Sequence, residues 1–288
     1  MEGVKTVGII SKPGIARGYE LLPPLLEWLE ERGVTVRMDE HTAVYVDRNS
    51  GLPRDDVPDG ETDLIIVLGG DGTLLAAARA LRGRQIPLLP VNLGGLGFLT
   101  AITAREIYSA LERGFRGEHR VGTRRMIACE LHRGENVMGR YDALNDVVVT
   151  KASLARMIDI RTYVDEHYVC TYKADGLIVC TPTGSTAYSL SAGGPIIFPT
   201  VAALCITPIC PHMLTNRPVL VPDSMRIRMH NLAEDDTAYL TIDGQVGEPL
   251  CQGDEVVCSK SDQKILLVRP PRMMYFDVLR EKLSWGER

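Results

Sequence analysis

Short aliphatic runs alternate with longer segments of helical periodicity over the first 116 residues of the chain. The runs predict buried strands, and the longer segments predict helices. In chain order the pattern predicts strand Val7–Ser11, helix Leu25–Glu31, strand Val34–Met38, strand 63–68, helix 73–82 and strand Ile86–Val91. Pro23 and Pro24 are expected in the first turn of the first helix, where a missing N–H is tolerated. Strands that alternate with helices form a parallel sheet, so a Rossmann-like α/β domain is expected.

The pattern changes after Arg116, where helical periodicity gives way to short runs between turn residues. These runs predict strands at 128–131, 146–150, 158–164, 167–172, 177–181, 226–229, 239–242, 255–258 and 265–268. Short strands at such spacing predict an all-β, β-sandwich-like domain. Tyr275–Leu283 has a helical pattern again. We therefore predict an α/β domain at 1–118, a β domain at 119–270, and a segment 271–288 whose helix returns to the first domain.

Composition and charge narrow the class of protein. Hydrophobic residues make up 45% of the chain and charged residues 24%, as in ordinary globular proteins. A net charge of -5 argues against a broad nucleic-acid-binding surface. Prolines interrupt the long uncharged stretch 176–216, and the chain does not start like a signal peptide. Seven cysteines without a Cys-x-x-Cys pair indicate free thiols in a reducing compartment. We therefore expect a cytoplasmic protein with neither nucleic-acid nor membrane partners.

The most informative motif is Val-Leu-Gly-Gly-Asp-Gly-Thr-Leu-Leu at 67–75, where a predicted strand enters a glycine-rich turn that opens a helix. Glycines in such a turn let backbone N–H groups approach phosphate oxygens at a helix N-terminus. Asp71 is unexpected there, because a carboxylate repels phosphate unless it holds a hydroxyl or a metal. The alternative interpretation is a tight turn capped by Asp71 or Thr73. A second glycine-rich turn, at 92–97, is expected beside the first, beyond the carboxyl ends of the sheet.

Three further polar clusters lie in the predicted β domain. The turn 181–186 carries several hydroxyls near the start of a short helix, and these could bind a ribose or a phosphate or only cap the helix. Asn145-Asp146 precedes a strand, and its simplest interpretation is a turn. Asp243-Gly244-Gln245 predicts a hairpin turn, for which Asp-Gly is the expected pair.

These motifs in this order resemble the NAD kinases, which phosphorylate the 2′-hydroxyl of the adenosine ribose of NAD to form NADP. The resemblance covers nearly the whole chain. Its segments are Gly-Gly-Asp-Gly-Thr at 69–73, Gly-Phe-Leu-Thr at 97–100, Arg-Arg-Met at 124–126, Ala-Leu-Asn-Asp at 143–146, Asp-Gly-Leu-Ile at 175–178, Thr-Pro-Thr-Gly-Ser-Thr-Ala-Tyr-Ser at 181–189, Ser-Ala-Gly-Gly-Pro at 191–195, Ile-Thr-Pro-Ile-Cys-Pro-His at 206–212 and Asp-Gly-Gln at 243–245. The first segment is shared with lipid kinases, whereas those at 181–189 and 206–212 are far more specific.

The resemblance implies an active site between the two domains. It implies NAD as substrate, ATP or another phosphate donor, and Mg²⁺ or another divalent cation, whose ligands remain unassigned. Asp71 matches the catalytic residue that accepts the proton of the ribose hydroxyl. The implied phosphate cradle is Gly69, Gly70, Gly72 and Thr73. The candidate residues for the NAD site are Phe98, Asn145, Asp146, Lys173, Asp175, Thr183, Ser185, Thr186, Ala187, Tyr188 and Gln245, with Lys173 as a charge partner.

This chain departs from the family at one position, since Asp146 stands where a Glu is usual after Asn145. The charge is kept, but the side chain is one methylene shorter. Two alternatives belong to other classes of protein. A lipid kinase of the diacylglycerol-kinase type would have an apolar acceptor pocket and associate with membranes, and a non-catalytic dinucleotide sensor would lack Asp71 or the hydroxyl cluster. The resemblance also implies a homodimer or a homotetramer.

Overall fold

A computed structural model of the chain describes residues 3–47, 50–118, 120–152, 156–234, 238–269 and 274–285. It divides into two compact units, the first made of Met1–Thr123 together with Ile265–Arg288 and the second of Arg124–Lys264. Of the predicted C-terminal segment, residues 271–273 and 286–288 lie outside the described part. No described helix is long and apolar enough to cross a bilayer.

The described chain contains strands and helices with the following bounds. The strands are β1 (Thr6–Ser11), β2 (Thr35–Met38), β3 (Leu64–Leu68), β4 (Leu88–Asn92), β5 (Ile102–Thr103), β6 (Arg120–Arg133), β7 (Asn136–Ala143), β8 (Asp146–Lys151), β9 (Ile158–Val164), β10 (His167–Ala174), β11 (Gly176–Cys180), β12 (Ala203–Ile209), β13 (Val219–Pro222), β14 (Ile227–Asn231), β15 (Ala238–Ile242), β16 (Val246–Leu250) and β17 (Glu255–Arg269). The α-helices are α1 (Ala16–Glu30), α2 (Glu40–Ala43), α3 (Asp71–Ala80), α4 (Ile107–Phe115), α5 (Tyr188–Ser191) and α6 (Tyr275–Leu283).

The first unit is built on a parallel sheet with the order β2-β1-β3-β4. All five residues of β3 are buried, as expected for a central parallel strand. The end of β17 adds to the sheet, because Leu267 pairs in parallel with Leu88. This confirms the predicted α/β fold and places the turns 69–73 and 92–97 directly after β3 and β4.

Helix α1 corrects the sequence prediction, because it begins at Ala16 and carries Pro23 and Pro24 in its interior. Each proline removes a backbone hydrogen bond, at a cost of about 3 kcal/mol. Both prolines lie on the exposed side of the helix, where water can satisfy the freed carbonyl groups. A continuous stripe of four buried leucines, Leu22, Leu25, Leu26 and Leu29, opposes that cost. Burial therefore extends the helix across a sequence that local propensity would break.

The second unit contains two antiparallel sheets that enclose one hydrophobic core. One sheet has the order β13-β12-β11-β8-β15-β16. The other contains β10-β9-β14-β17, with β6 pairing with β17 and β7. The core combines side chains of both sheets, for example Val147 and Val149 of β8 with Ile227 and Met229 of β14. The predicted β-sandwich-like fold is therefore confirmed.

Several elements differ from the prediction. The two runs 255–258 and 265–268 belong to one long strand, β17. Strands β7, β12, β13 and β16 and helix α4 were not predicted. All seven residues of β12 are buried, whereas most of β7 is at least partly exposed, so neither shows the alternation that marks a half-buried strand.

Candidate functional site

The glycine-rich turn of the first unit connects β3 to the N-terminus of α3, with Gly70 as the N-cap residue. Thr73 is buried beneath the turn, and Gly72 is exposed. The N-terminal end of a helix carries a partial positive charge and favours anions. The turn predicted from the sequence therefore exists, and it opens α3 as expected.

Asp71 is the first residue of α3, and its carboxylate binds the neighbouring loop. Its Oδ1 accepts hydrogen bonds from the amides of Leu99 (3.2 Å) and Thr100 (3.1 Å) and from the Thr100 hydroxyl (3.0 Å). Its Oδ2 accepts a hydrogen bond from the amide of Phe98, at 2.9 Å. Within the described chain Oδ2 makes only this contact, and a carboxylate oxygen can accept two. Asp71 thus holds the loop 97–100 and retains capacity to accept a hydroxyl.

Phe98 also contacts the C-terminal helix of the first unit. The ammonium group of Lys282, on α6, lies 5.7 Å from the centre of the Phe98 ring. This distance falls within the range of a cation–π interaction at an exposed site. The loop that Asp71 holds is therefore also in contact with α6 through this pair.

A cavity of about 430 Å³ opens in the second unit. Its lining residues come from β8, β15, the turn after β15 and the start of α5: Asn145, Asp146, Val148, Thr150, Ala187, Tyr188, Thr241, Asp243 and Gly244. Four residues proposed from the sequence are thus brought together, namely Asn145, Asp146, Ala187 and Tyr188. The volume is in the range of small-molecule sites.

The amide oxygen of Asn145 makes this cavity a candidate binding site. Asn145 is only 9% exposed, and its Oδ1 is buried without a hydrogen-bond partner in the described chain. A buried acceptor without a partner costs about 1–3 kcal/mol, so native proteins rarely retain one without a reason. A ligand that donates a hydrogen bond to Oδ1 would remove this cost.

The segment that carries Asn145 is held by the turn 181–184. The amide of Thr181 donates to the carbonyl of Asn145 (2.9 Å), and the Thr181 hydroxyl donates to the carbonyl of Leu144 (2.6 Å). A Cβ at Gly184 would lie 2.0 Å from the Asn145 carbonyl oxygen, so only glycine allows this approach. Gly184 therefore allows the backbone of the turn 181–184 to pack directly against the backbone of Asn145.

The hydroxyls of this turn have internal partners. Ser185 is fully buried, accepts a hydrogen bond from the amide of Ile197 (2.9 Å) and donates to the carbonyl of Pro182 (2.7 Å). The Thr186 hydroxyl donates to the carbonyl of Thr183, at 3.2 Å. These contacts shape the turn that brings Ala187 and Tyr188 to the cavity.

Six candidate residues of this unit lie outside the cavity lining, namely Thr183, Ser185 and Thr186 of the turn described above, and Lys173, Asp175 and Gln245. Lys173 is exposed on β10, and its carbonyl accepts a hydrogen bond from the amide of His212 at 2.8 Å. Asp175 forms an ion pair with Lys151, at 2.9 Å. Gln245 closes the predicted hairpin turn, with its amide 2.9 Å from the carbonyl of Ile242.

Asp243 is a residue whose importance the sequence analysis missed. It was predicted only as part of a hairpin turn, yet it lines the cavity and its carboxylate accepts hydrogen bonds from the amides of Leu144 (2.9 Å), Asn145 (2.7 Å) and Asp146 (3.1 Å). Asp-Gly is so common in hairpins that the pair gave no further signal.

Asp146 is a titratable group inside the cavity wall. Burial, and secondarily the negative charge of Asp243, raise the pKa of Asp146 from 3.8 to about 7. Near neutral pH the side chain therefore exists in both protonation states, as a hydrogen-bond donor and as an acceptor.

The pKa of Asp146 predicts a pH dependence of stability. The unfolded chain ionises this group near pH 4, whereas the folded protein keeps it neutral up to about pH 7, so its stabilisation is complete below pH 4 and is lost as the pH rises through 7. Asp146→Asn mimics the neutral acid and should remove this loss. Between pH 4 and pH 8 the free energy of unfolding of the wild type should fall by up to about 4 kcal/mol more than that of the variant, at about 1.4 kcal/mol per pKa unit. Urea unfolding at both pH values measures the difference, and parallel pH dependences would contradict the assignment.

The described residues contain no group of three or more His, Cys, Asp and Glu side chains that could hold a metal ion. Magnesium is commonly bound by substrate phosphates, water and only one or two carboxylates. The described side chains are thus compatible with a magnesium ion that is carried by a bound nucleotide and contacted by a single carboxylate.

Comparisons with known proteins point to one family over nearly the whole chain. The family model of the ATP-NAD kinase N-terminal domain matches residues 7–119, and that of the ATP-NAD kinase C-terminal domain matches residues 144–270. An NAD kinase of Solibacter usitatus (strain Ellin6076) is 62% identical over 285 residues, which cover 99% of this chain and 99% of that protein. An NAD kinase of Koribacter versatilis (strain Ellin345) is 49% identical over 285 residues, covering 99% of this chain and 100% of that protein.

Solved structures show the same fold. The yeast NADH kinase complexed with NADH superposes with a TM-score of 0.91 at 26% identity, over 99% of this chain and 89% of that one. The NAD kinase from Archaeoglobus fulgidus in complex with ATP gives a TM-score of 0.78 at 24% identity, over 97% of this chain and 98% of that one. These findings favour neither a lipid kinase nor a non-catalytic sensor.

Proposed function

Since this chain belongs to the NAD kinase family and transfers a phosphoryl group from ATP to NAD, we propose that the cavity beside Asn145 binds the adenosine half of NAD. The observation that carries this proposal is the buried, unpartnered Oδ1 of Asn145. The exocyclic amine of adenine and the hydroxyls of ribose are donors that can satisfy it. Asp146 adds a second polar group beside it, and Ala187 and Tyr188 supply an apolar and an aromatic surface.

Asp71 is the proposed catalytic residue. A ribose hydroxyl is a weak nucleophile at neutral pH, and a carboxylate within hydrogen-bond distance can orient it and accept its proton as the new bond to phosphorus forms. The open position on Oδ2 suits this role, while Oδ1 stays bound to the loop at Thr100. The same side chain therefore fixes the loop and meets the acceptor hydroxyl.

The donor phosphates are proposed to bind at the turn Gly69–Thr73. Backbone amides at a helix N-terminus stabilise the charge that spreads over the transferred group. A divalent cation such as Mg²⁺, if carried by ATP, would neutralise further phosphate charge at this turn. Lys173 is retained as a proposed charge partner, and Asp175, Thr183, Ser185, Thr186, Gln245 and Phe98 as residues that bind NAD or shape its site.

We further propose that the protein is a cytoplasmic homo-oligomer. All seven cysteines are free, which suits a reducing compartment. Several large apolar side chains of the second unit are exposed, among them Leu214 at 89% and Leu220 at 52%. Exposed apolar groups of this kind are typical of surfaces that associate.

The test combines product analysis with a substrate analogue. Purified protein mixed with NAD, ATP and Mg²⁺ should produce NADP, detected by an NADP-specific dehydrogenase. NAD that lacks the 2′-hydroxyl of the adenosine ribose should compete with NAD with an affinity within about tenfold, because most contacts remain, yet it should not be phosphorylated. An analogue that fails to compete would contradict the proposed acceptor site, and a phosphorylated analogue would contradict the assigned hydroxyl.

A further inference from the structure

We propose that Asp243 is a positioning residue for the NAD kinase reaction: from the turn after β15, its carboxylate fixes the backbone of residues 144–146 so that Asn145 and Asp146 face the cavity. This inference rests on the proposed function, in which those two side chains bind the adenosine half of NAD. Asp243 is assigned to the geometry of the acceptor site and not to the transfer of the phosphoryl group.

Both oxygens of the Asp243 carboxylate are used in this contact. Oδ1 accepts the amides of Asn145 (2.7 Å) and Asp146 (3.1 Å), and Oδ2 accepts the amide of Leu144 (2.9 Å). In the opposite direction, the amide of Asp243 donates to the carbonyl of Asp146, at 2.9 Å. Hydrogen bonds to an ionised acceptor are about twice as strong as neutral ones, so one side chain fixes three successive residues.

The turn that carries Asp243 is itself constrained. Asp243 and Gly244 have φ angles of 50° and 64°, the left-handed conformation that a type I′ turn requires at both central positions. The amide of Gln245 closes the turn on the carbonyl of Ile242, at 2.9 Å. The carboxylate is therefore presented from a fixed point at the end of β15.

The segment 144–146 is also held from its other side, by the turn 181–184. Thr181 binds the carbonyls of Leu144 and Asn145, and Gly184 packs against the Asn145 backbone. The carbonyl groups of Leu144 and Asn145 are thus fixed from the turn 181–184, and the amide groups of residues 144–146 from Asp243. With the backbone held on both sides, the position from which the Asn145 side chain starts is fixed beside the cavity, where its Oδ1 lies buried without a partner in the described chain.

The carboxylate of Asp243 also acts on Asp146 through its charge. The titratable groups that face Asp146 are Asp243 and the thiol of Cys180, which is its partner on β11, and Tyr188 lines the same cavity. Asp243 raises the pKa of Asp146, so its neutralisation should lower that pKa. Asp165 is not among the groups that raise this pKa, so its neutralisation should leave the titration of Asp146 unchanged.

The test compares Asp243→Asn with a matched control, Asp165→Asn. Asp165 also has a left-handed φ of 50° after a strand, and its Oδ1 accepts the amide of Arg226 at 2.8 Å, but it does not line the cavity. In Asp243→Asn an amide N–H replaces one acceptor and opposes a backbone N–H. KM for NAD should rise about tenfold or more, whereas kcat stays within about threefold and KM for ATP is unchanged. The pH dependence of kcat/KM for NAD should move to lower pH, and Asp165→Asn should alter none of these values.

Hydrogen exchange of the ligand-free protein tests the same contacts without measuring enzyme activity. The amides of residues 144–146 should exchange faster in Asp243→Asn and at the wild-type rate in Asp165→Asn. If Asp243→Asn does not fold, Asp243→Glu, which keeps the charge but moves the acceptors by one methylene, tests the same contacts.

Unchanged KM and exchange rates in a folded Asp243 variant would overturn the positioning role, as would a loss of kcat at constant KM. A separate variant, Asn145→Ala, distinguishes this failure from that of the proposed function. If Asn145→Ala weakens NAD binding and Asp243→Asn does not, only the positioning role is wrong. If Asn145→Ala has no effect on NAD binding, the proposed acceptor site is itself wrong.

Discussion

Replacement of Asp71 by Asn should lower kcat by a factor of about 10² or more, the usual scale for a positioned acid–base group, while NAD affinity stays within about tenfold. An amide cannot accept the proton of the ribose hydroxyl. It can still accept the hydrogen bonds from Leu99 and Thr100 through its oxygen, but its NH₂ group would oppose the amide of Phe98. Turnover and NAD affinity should be measured separately.

A control is needed because Asp71 also holds the loop 97–100. Thr100→Val removes the hydroxyl contact to Oδ1, together with the hydrogen bond that this hydroxyl accepts from the Asn92 side chain, and leaves the carboxylate in place. This control should reduce kcat by no more than about tenfold, since only one of the two lost hydrogen bonds, contributing about 1 kcal/mol, involves Asp71. If Thr100→Val loses as much activity as Asp71→Asn, the loop and not proton transfer explains the effect. If Asp71→Asn turns over like wild type, the catalytic assignment is wrong.

Asn145→Ala should weaken NAD binding about ten- to hundredfold, because the ligand loses one or two hydrogen bonds worth about 1–3 kcal/mol. ATP binding should change little. The ligand-free variant should unfold at the same temperature as wild type or a higher one, since the substitution also removes a buried acceptor that has no partner. A gain in stability together with a loss of affinity is typical of a residue retained for binding.

Calorimetry with each ligand and a thermal melt measure these effects. Equal losses of NAD and ATP affinity, accompanied by a lower melting temperature, would indicate damage to the fold. In that case the acceptor assignment of Asn145 would be contradicted.

Local chemistry predicted the elements that depend on neighbouring residues. The aliphatic run before Gly69 is the buried strand β3, and the Asp-Gly pair at 243–244 forms the expected hairpin turn. Helix α1 was predicted too short and strand β7 was missed, because neither is determined by its neighbouring residues alone. In α1 the buried leucine stripe outweighs two prolines, and β7 has little buried surface to produce a pattern.

The candidate site was predictable in its residue types but not in its connections. Asn145 and Asp243 are 98 residues apart, and Asp71 binds the Thr100 hydroxyl across 29 residues. A sequence read locally identifies each turn but not the partner that holds it. The resemblance to a family supplied the residues Ala187 and Tyr188, whose own chemistry gives no signal, whereas the role of Asp243 required the structure.

The path of the chain through the two units has a consequence for protein synthesis. The second unit is one continuous stretch, Arg124–Lys264, so every residue it needs has been made before Ile265 is translated. The parallel sheet of the first unit, in contrast, waits for the end of β17, because Leu267 pairs with β4 and Val268 joins the core of that unit. The first unit to emerge from the ribosome is therefore the last to be completed, and a nascent chain stalled before Ile265 would leave the edge of β4 unpaired at Leu88 and exposed to aggregation.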